Sequence, residues 1–331
     1  MEGGPLLDEA TRNALLARLR PIVGRRALTL DAPMSRYTTL GLGGPAEVLC
    51  EVSDAQALPA ILRAAAELSV PVTLLGNGSN VLVRDGGLPG LTLRFGEHFA
   101  HIGEPTPLPD GRFAITAQAG ATLARLANAA ADASLAGLEF ASGIPGTVGG
   151  ALAMNAGAYG GEMKDVVESV TCMSLTGEIT HYTNADMAFG YRKSRLNDPA
   201  LPPEIALSAT FALTPGDGDA IRVAMSQCNA RRREKQPVTL PCCGSTFKRP
   251  QGGYAGTLIE QCGLKGARVG GASVSTLHAG FLVNDANGTA SDYLALIETV
   301  RQAVHAQTGV WLEPEVRILG VDAPAAAPQE P

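Results

Sequence analysis

Leu138 to Gly161 reads LEFASGIPGTVGGALAMNAGAYGG, and this stretch decides what kind of fold the chain can have. Seven of its residues are glycine (143, 146, 149, 150, 157, 160 and 161), and no charge occurs from Phe140 to Gly161. Each interior glycine costs backbone entropy, so the stretch is a poor helix or strand along its whole length. It is an equally poor linker, because Ile144, Val148, Leu152, Met154 and Tyr159 are spread through it. Glycines alternating with apolar residues point to a backbone that approaches something flat or anionic where side chains do not fit. A membrane span is the competing reading, but Ser142, Pro145, Asn155 and the glycines interrupt it too often. The segment therefore reads as the bed of a large cofactor.

Length and charge narrow the field. At 331 residues the chain has room for about two domains, or three small ones. With 45% hydrophobic and 18% charged residues it can build a sizeable core. A formal net charge of −6 argues against nucleic acid as a partner, so an anionic ligand would need positive charge gathered locally. The N-terminal residues lack the apolar run of a secretory signal. Six cysteines (50, 172, 228, 242, 243 and 262), none in a CxxC pair, read as reduced thiols of a cytoplasmic protein. Only His98 and His101 lie close together, with no partner at metal-ligand spacing, so no metal is expected.

Working outward, residues 8–20 predict a short amphipathic helix with Leu15, Leu16 and Leu19 inward, ended by Pro21. Asp54 opens a second helix whose stripe is Leu58, Ile61, Leu62, Ala65 and Leu68. The strand 70–75 then runs into GNGSN (76–80). Val81 stands where a dinucleotide fingerprint has its third glycine, and a strand-like run follows instead of a helix, which excludes a Rossmann unit. Two readings of the loop stand level: a nest of N–H groups for a phosphate, or a plain hairpin turn. A strand over 112–119 leads to a helix capped by Thr122 and closed by Gly137. Past the glycine-rich stretch, residues 166–183 predict a hairpin turning at Thr176-Gly177. FGYRKSRL (189–196) and a strand ending near Leu213 come next.

Thr214 to Asp219 has linker composition. The following helix buries Ile221, Ala224, Met225 and Cys228 and ends in RRREK (231–235), more cation than a helix dipole requires. CCGSTFKRP (242–250), a short helix over 255–262 and an extended segment over 280–290 come after it. A capped helix from Ser291, with Tyr293, Leu294, Ile297, Val300 and Val304 aligned and Thr308-Gly309 ending it, and the closing strand VWLEPEVRILG (310–320) complete the fold. Residues 321–331 read as a disordered tail.

GNGSNVLVRDGG (76–87), SGIPGTVGGALAMNAGAYGGE (142–162), FGYRKSRL, CGSTFKRP and LEPEVRILG occur in this order. Together they closely resemble the UDP-N-acetylenolpyruvoylglucosamine reductase family, flavoenzymes of bacterial peptidoglycan precursor synthesis. The resemblance spans roughly residues 31–320. It implies an α+β fold: an FAD-binding domain of the vanillyl-alcohol-oxidase type in two subdomains (31–95 and 96–213) and a C-terminal α+β substrate-binding domain (214–320). Residues 1–30 would form an N-terminal helical segment. A strand, a linker and a helix already fill the 53 positions from Arg192 to Ser245, so the chain resembles the shorter subclass without an inserted tyrosine-bearing loop. The FAD contacts implied are Gly76, Asn77, Gly78, Ser79 and Asn80, with Ser142, Gly143, Ile144, Pro145, Gly146, Gly149 and Gly150.

By the same resemblance NADPH reduces FAD, and the reduced flavin passes hydride to the vinyl carbon of the enolpyruvyl ether, giving UDP-N-acetylmuramate. Negative charge then builds beside a carboxylate, so the site needs fixed positive charge, hydrogen-bond donors and an acid. Arg192 would hold the carboxylate with its planar fork, Glu315 would stabilise the enolate as a protonated acid, and Ser245 would deliver the proton, with Lys248 as a donor beside it. Arg231, Lys235, Lys248 and Arg249 would face the diphosphate, Arg249 standing where many members have asparagine. Without the resemblance the same residues read as a surface arginine, a solvated carboxylate beside Arg317 and a turn hydroxyl. The partner expected is one small UDP-sugar, with no nucleic acid, no membrane and a monomeric protein. The alternatives are a flavoprotein of this fold that oxidises an alcohol or hydroxy acid, and a nucleotide-binding module without catalysis.

Overall fold

The computed structural model describes residues 6–323, which gather around three main hydrophobic centres. The first is a four-stranded sheet in the order Leu28–Pro33, Pro45–Val52, Leu88–Phe95, Val72–Leu75. Its first pair is antiparallel and the other two are parallel. Helices α1 (Glu9–Val23) and α2 (Leu58–Glu67) bring Leu15, Leu19, Leu58, Ile61 and Leu62 against Val48, Val52 and Leu93. Helix α1 does not stop at Pro21. The proline falls in the last turn, where it removes one hydrogen bond to the preceding turn but leaves the ladder before it intact, and Gly24 at φ 77° closes the helix. Glu47, only 6% exposed, accepts the N–H groups of Leu7 (3.0 Å) and Gly90 (2.7 Å), tying the N-terminal segment to this sheet.

The second centre is an antiparallel sheet in the order Ile179–Thr183, Val167–Ser174, Glu204–Pro215, Phe113–Gln118, Thr106–Pro107. Helices α3 (Leu123–Asp132), α4 (Val148–Met154) and α5 (Gly218–Lys235) contribute Leu126, Leu152, Ile221 and Met225 to the core around Val170 and Phe211. The stretch 214–219 is not a free linker. Thr214 and Pro215 pair with Ala136 and Leu135, and Asp217 caps α5 immediately through the N–H groups of Asp219 and Ala220. The glycine-rich segment is broken as its glycines require, into a 3-10 turn at Glu139–Ala141, the short helix α4, and a tight hairpin of Gly157–Ala158 with Gly161–Glu162.

The third centre combines the strands Arg268–Val269, Ala272–Val274 and Leu282–Asn284 with helices α6 (Ala255–Gln261) and α7 (Ala290–Thr308). Helix α7 buries Tyr293, Leu296, Ile297, Val300 and Val304 along one stripe. Thr289 and Asp292 form its capping box, and Gly309 at φ 74° ends it. The chain then returns to the first centre. The closing strand is shorter than expected, Arg317–Leu319, because residues 313–315 lie instead along residues 246–248. It pairs in parallel with Val81–Val83. Val81–Val83 is therefore taken by a strand some 235 residues away and pairs with no part of Val72–Leu75, which disposes of the hairpin reading of GNGSN. Of the expected tail, Val321 bridges to Gly87, and residues 324–331 lie outside the described residues. No helix among the described residues is long and apolar enough to cross a membrane.

One side chain ties the start of α7 to the first centre. The Asp85 carboxylate accepts the N–H groups of Ala290 and Ser291, each at 2.8 Å, and the Ser291 hydroxyl at 2.6 Å. Asp85→Ala should therefore lower stability by about 1–2 kcal/mol, as loss of a helix N-terminal partner does. Urea denaturation measures it, and a midpoint equal to that of the parent protein would show that this contact contributes nothing.

Candidate active site

Two glycine-bearing loops meet, residues 76–80 and 142–150. In GNGSN, Gly78 has φ 61°, and a Cβ there would come within 2.1 Å of the Tyr37 carbonyl oxygen. The carbonyls of Gly78 and Asn80 accept the N–H groups of Thr39 (3.2 Å) and Arg317 (3.0 Å). The N–H groups of Asn77, Gly78, Ser79 and Asn80 donate to no protein acceptor among the described residues. The Asn77 side-chain amide donates to the Pro145 carbonyl at 2.8 Å, and a Cβ on Gly76 would lie 2.9 Å from the Thr147 hydroxyl. Loops far apart in sequence are thereby locked edge to edge.

The glycines separate into two kinds. Packing within the chain accounts for Gly78, for Gly143 (2.3 Å from a Cβ to the Asn229 Oδ1) and for Gly149 (3.1 Å to the Ala119 Cβ). It does not account for Gly146 or Gly150, where a Cβ would meet nothing nearer than 3.9 Å and 3.6 Å. Ser142 is buried with its hydroxyl on the Glu139 carbonyl, Ile144 packs on the second core, and Pro145 is exposed. Unpaired backbone donors beside a surface bare of side chains suit FAD, the donors for its pyrophosphate and the bare backbone for its ring system.

Arg192 and Glu315 are in contact. Arg192 Nε donates to Glu315 Oε1 at 2.6 Å, and the carboxyl side chain is only 9% exposed. The Tyr191 hydroxyl donates to Glu315 Oε2 at 3.3 Å and accepts the Arg249 N–H at 3.2 Å. Arg192 is in the left-handed region at φ 54°, an unfavourable conformation for a non-glycine residue that its neighbours must hold. Asn155, 1% exposed and itself at φ 40°, does so by donating to the Gly190 carbonyl. Asn197 donates to the Arg192 carbonyl, and the buried Ser194 hydroxyl donates to that of Ala153. Sequence reasoning passed over Tyr191 and Asn155, although both sit inside motifs it had singled out.

Ser245 lies beside this pair through the backbone. Glu315 N–H donates to the Thr246 carbonyl at 2.7 Å, and Lys248 N–H to that of Glu313 at 2.8 Å, so the serine loop runs along residues 313–315. Glu315 is also tied to the first loop, since the Asn80 side-chain amide donates to its carbonyl at 3.3 Å. Arg192, Ser245, Glu315 and residues 76–80 are thus brought together from four separate parts of the chain. Beneath the serine loop lies the buried Tyr293 hydroxyl, whose pKa burial raises well above the usual phenol value.

The cations divide. Arg231 and Lys235 are exposed at the end of α5, Lys248 pairs with Glu313 at 3.1 Å rather than standing free beside Ser245, and Arg249 lies 4.6 Å over the exposed Tyr254 ring. The one that turns inward is Arg232, which sequence reasoning missed. It donates to the Gly143 carbonyl and to Gln236 Oε1, and burial lowers its pKa. The stripe Ile221, Met225 and Cys228 continues at the next turn to position 232, not 231, and that periodicity was the available signal.

Residues 46–183 match the family model of the FAD binding domain, and residues 236–319 match that of the UDP-N-acetylenolpyruvoylglucosamine reductase C-terminal domain. Fold and site together thus define a flavoprotein that binds FAD. The chain is 47% identical over 290 residues to the UDP-N-acetylenolpyruvoylglucosamine reductase of Levilactobacillus brevis, covering 88% of this chain and 92% of that one. It is 45% identical over 301 residues to that of Clostridioides difficile, covering 91% and 96%. The crystal structure of UDP-N-acetylenolpyruvylglucosamine reductase from Thermus caldophilus superposes with a TM-score of 0.75 at 34% identity, covering 88% of this chain and all of that one. The chain belongs to the UDP-N-acetylenolpyruvoylglucosamine reductase family.

The thiols near and away from the site make a further test. Burial pushes Cys50, Cys172 and Cys243 up to about 12. At about pH 8 the native protein should leave all three unmodified by iodoacetamide, because the thiolate is the reactive form. Peptide mapping that finds Cys243 alkylated before the protein unfolds would contradict the packing described.

Proposed function

We propose that the protein reduces UDP-N-acetylglucosamine enolpyruvate to UDP-N-acetylmuramate with NADPH as reductant. The reading is supported by family membership and above all by one observation: Arg192, Glu315 and the Ser245 loop converge beside the FAD-suited loop 76–80. Bound FAD, reduced by NADPH, supplies the hydride.

The chain's own residues handle the charge and the proton. Arg192 has its Nε engaged by Glu315, which leaves the terminal nitrogens of the guanidinium for the substrate carboxylate. As that carboxylate draws Arg192 to itself, the released Glu315 takes up a proton from solvent and turns its carboxyl toward the developing enolate, since only the protonated form can donate a hydrogen bond there. Ser245 hands its proton to the carbanion carbon. Lys248 can help the resulting alkoxide only by leaving Glu313. Arg232, half-buried against the Gly143 carbonyl, adds fixed positive charge beside the glycine-rich loop. Arg231, Lys235 and Arg249 receive the diphosphate from the solvent side. In the division into residues 31–95, 96–213 and 214–320, α5 packs with the second unit through Ile221 and Met225, which favours a substrate-closing unit that begins after Lys235. The protein is proposed to work as a cytoplasmic monomer.

Ser245→Ala should leave NADPH-driven bleaching of the flavin nearly intact and cripple its reoxidation by the enolpyruvyl sugar nucleotide. Stopped-flow absorbance reads both halves, and equal loss in the two would rule out the proton-donor role. Glu315→Gln, which keeps a neutral donor, should retain more activity than Glu315→Ala. Removing the charges of Arg231 and Lys235 should raise KM for the sugar nucleotide more than it lowers kcat.

A further inference from the structure

The Ser245 loop rests on a closed ring of buried hydrogen bonds that no step of the proposed reaction uses. The Leu282 N–H donates to the Thr246 hydroxyl at 3.2 Å. That hydroxyl donates to the Tyr293 oxygen at 3.1 Å, and Tyr293 donates to the Leu282 carbonyl at 3.1 Å. The Cys243 thiol joins the same oxygen at 3.2 Å. Tyr293 and Thr246 are both fully buried. A phenol is an expensive choice for a fully buried position, where a phenylalanine would pack without needing partners.

What the ring holds is informative. Thr246 follows Ser245 directly, its carbonyl accepts the Glu315 N–H, and its own N–H donates to the Gly280 carbonyl at 2.9 Å. One residue therefore carries the backbone register between the serine and the glutamate, and Tyr293 clamps that residue from below. We infer that Tyr293 is a positioning residue, which fixes the separation of Ser245 and Glu315 through the Thr246 side chain and so acts on the protonation half of the reaction. Tyr293 itself meets no substrate: it lies in the core of α7 among Leu296, Ile297 and Val300. The inference rests on the proposed reductase activity.

The test compares both half-reactions in the flavin-loaded full-length protein by stopped-flow absorbance. Tyr293→Phe keeps the ring and removes the hydroxyl. It should slow substrate-driven reoxidation about thirtyfold, somewhat less than the roughly hundredfold that a displacement of about 1 Å can cost, while slowing NADPH-driven reduction less than about threefold. Thr246→Val, which removes the ring's other hydroxyl, should give the same split and keeps the test alive if the first variant folds poorly. Ile297→Val, in the same core but outside the ring, should lower the thermal midpoint without any split. Equal slowing of both halves, no slowing in either hydroxyl variant, or a split in Ile297→Val overturns the inference. If the parent protein's reduced flavin is not reoxidised by the sugar nucleotide at all, the proposed function fails instead, so the two failures are distinguishable.

Discussion

Three residue pairs decide where the chemistry is placed. Arg317, Ile318 and Leu319 run parallel to Val81, Leu82 and Val83, so the last strand of the chain is bound to the strand that follows GNGSN. Parallel pairing needs a long connection, and here residues 84–316 form it. Glu315, two residues before the strand, has no freedom to lie elsewhere than beside Asn80. Because residues 313–315 also bind 246–248, the serine loop is fixed to the same edge. Separate the pair of strands, and the carboxyl, the serine and the phosphate-suited loop lose their common reference.

The energetics of the site match this geometry. An ion pair with one partner only 9% exposed is weak support for stability, since desolvation offsets much of its attraction. Its value lies in orientation. Arg192 is kept in a left-handed conformation by Asn155 and Asn197, and its guanidinium is aimed at Glu315. Arg232 places a second, half-buried cation on the Gly143 carbonyl, so a chain of net charge −6 gathers positive charge beside its glycine-rich loop.

Much of this was legible in the sequence, and the gaps have physical causes. The glycine pattern of 138–161 was enough to exclude a regular element along its length and to suggest a bed for a ring system, because glycine is costly wherever nothing requires it. The α7 stripe and its caps were equally plain, since local periodicity and capping chemistry coincide there. The loop at 76–80 stayed ambiguous because its strand's partner is far away in sequence, and register between distant strands leaves no local mark. The closing strand was read too long because Val310, Leu312, Val316 and Ile318 alternate along it, yet residues 313–315 spend their hydrogen bonds on a loop. Tyr293 looked like one more apolar position, for nothing in an amphipathic stripe reveals that a hydroxyl is needed. Arg232 escaped notice because counting the charges of 231–235 does not follow the helix face.

The central claim is that four distant segments form one site. Hydrogen–deuterium exchange of the flavin-loaded protein, with and without the enolpyruvyl sugar nucleotide, tests it most directly. The account predicts that the ligand slows exchange together in peptides covering 77–80, 191–195, 243–248 and 313–316. Protection confined to one of these segments, with the other three unchanged, would contradict it.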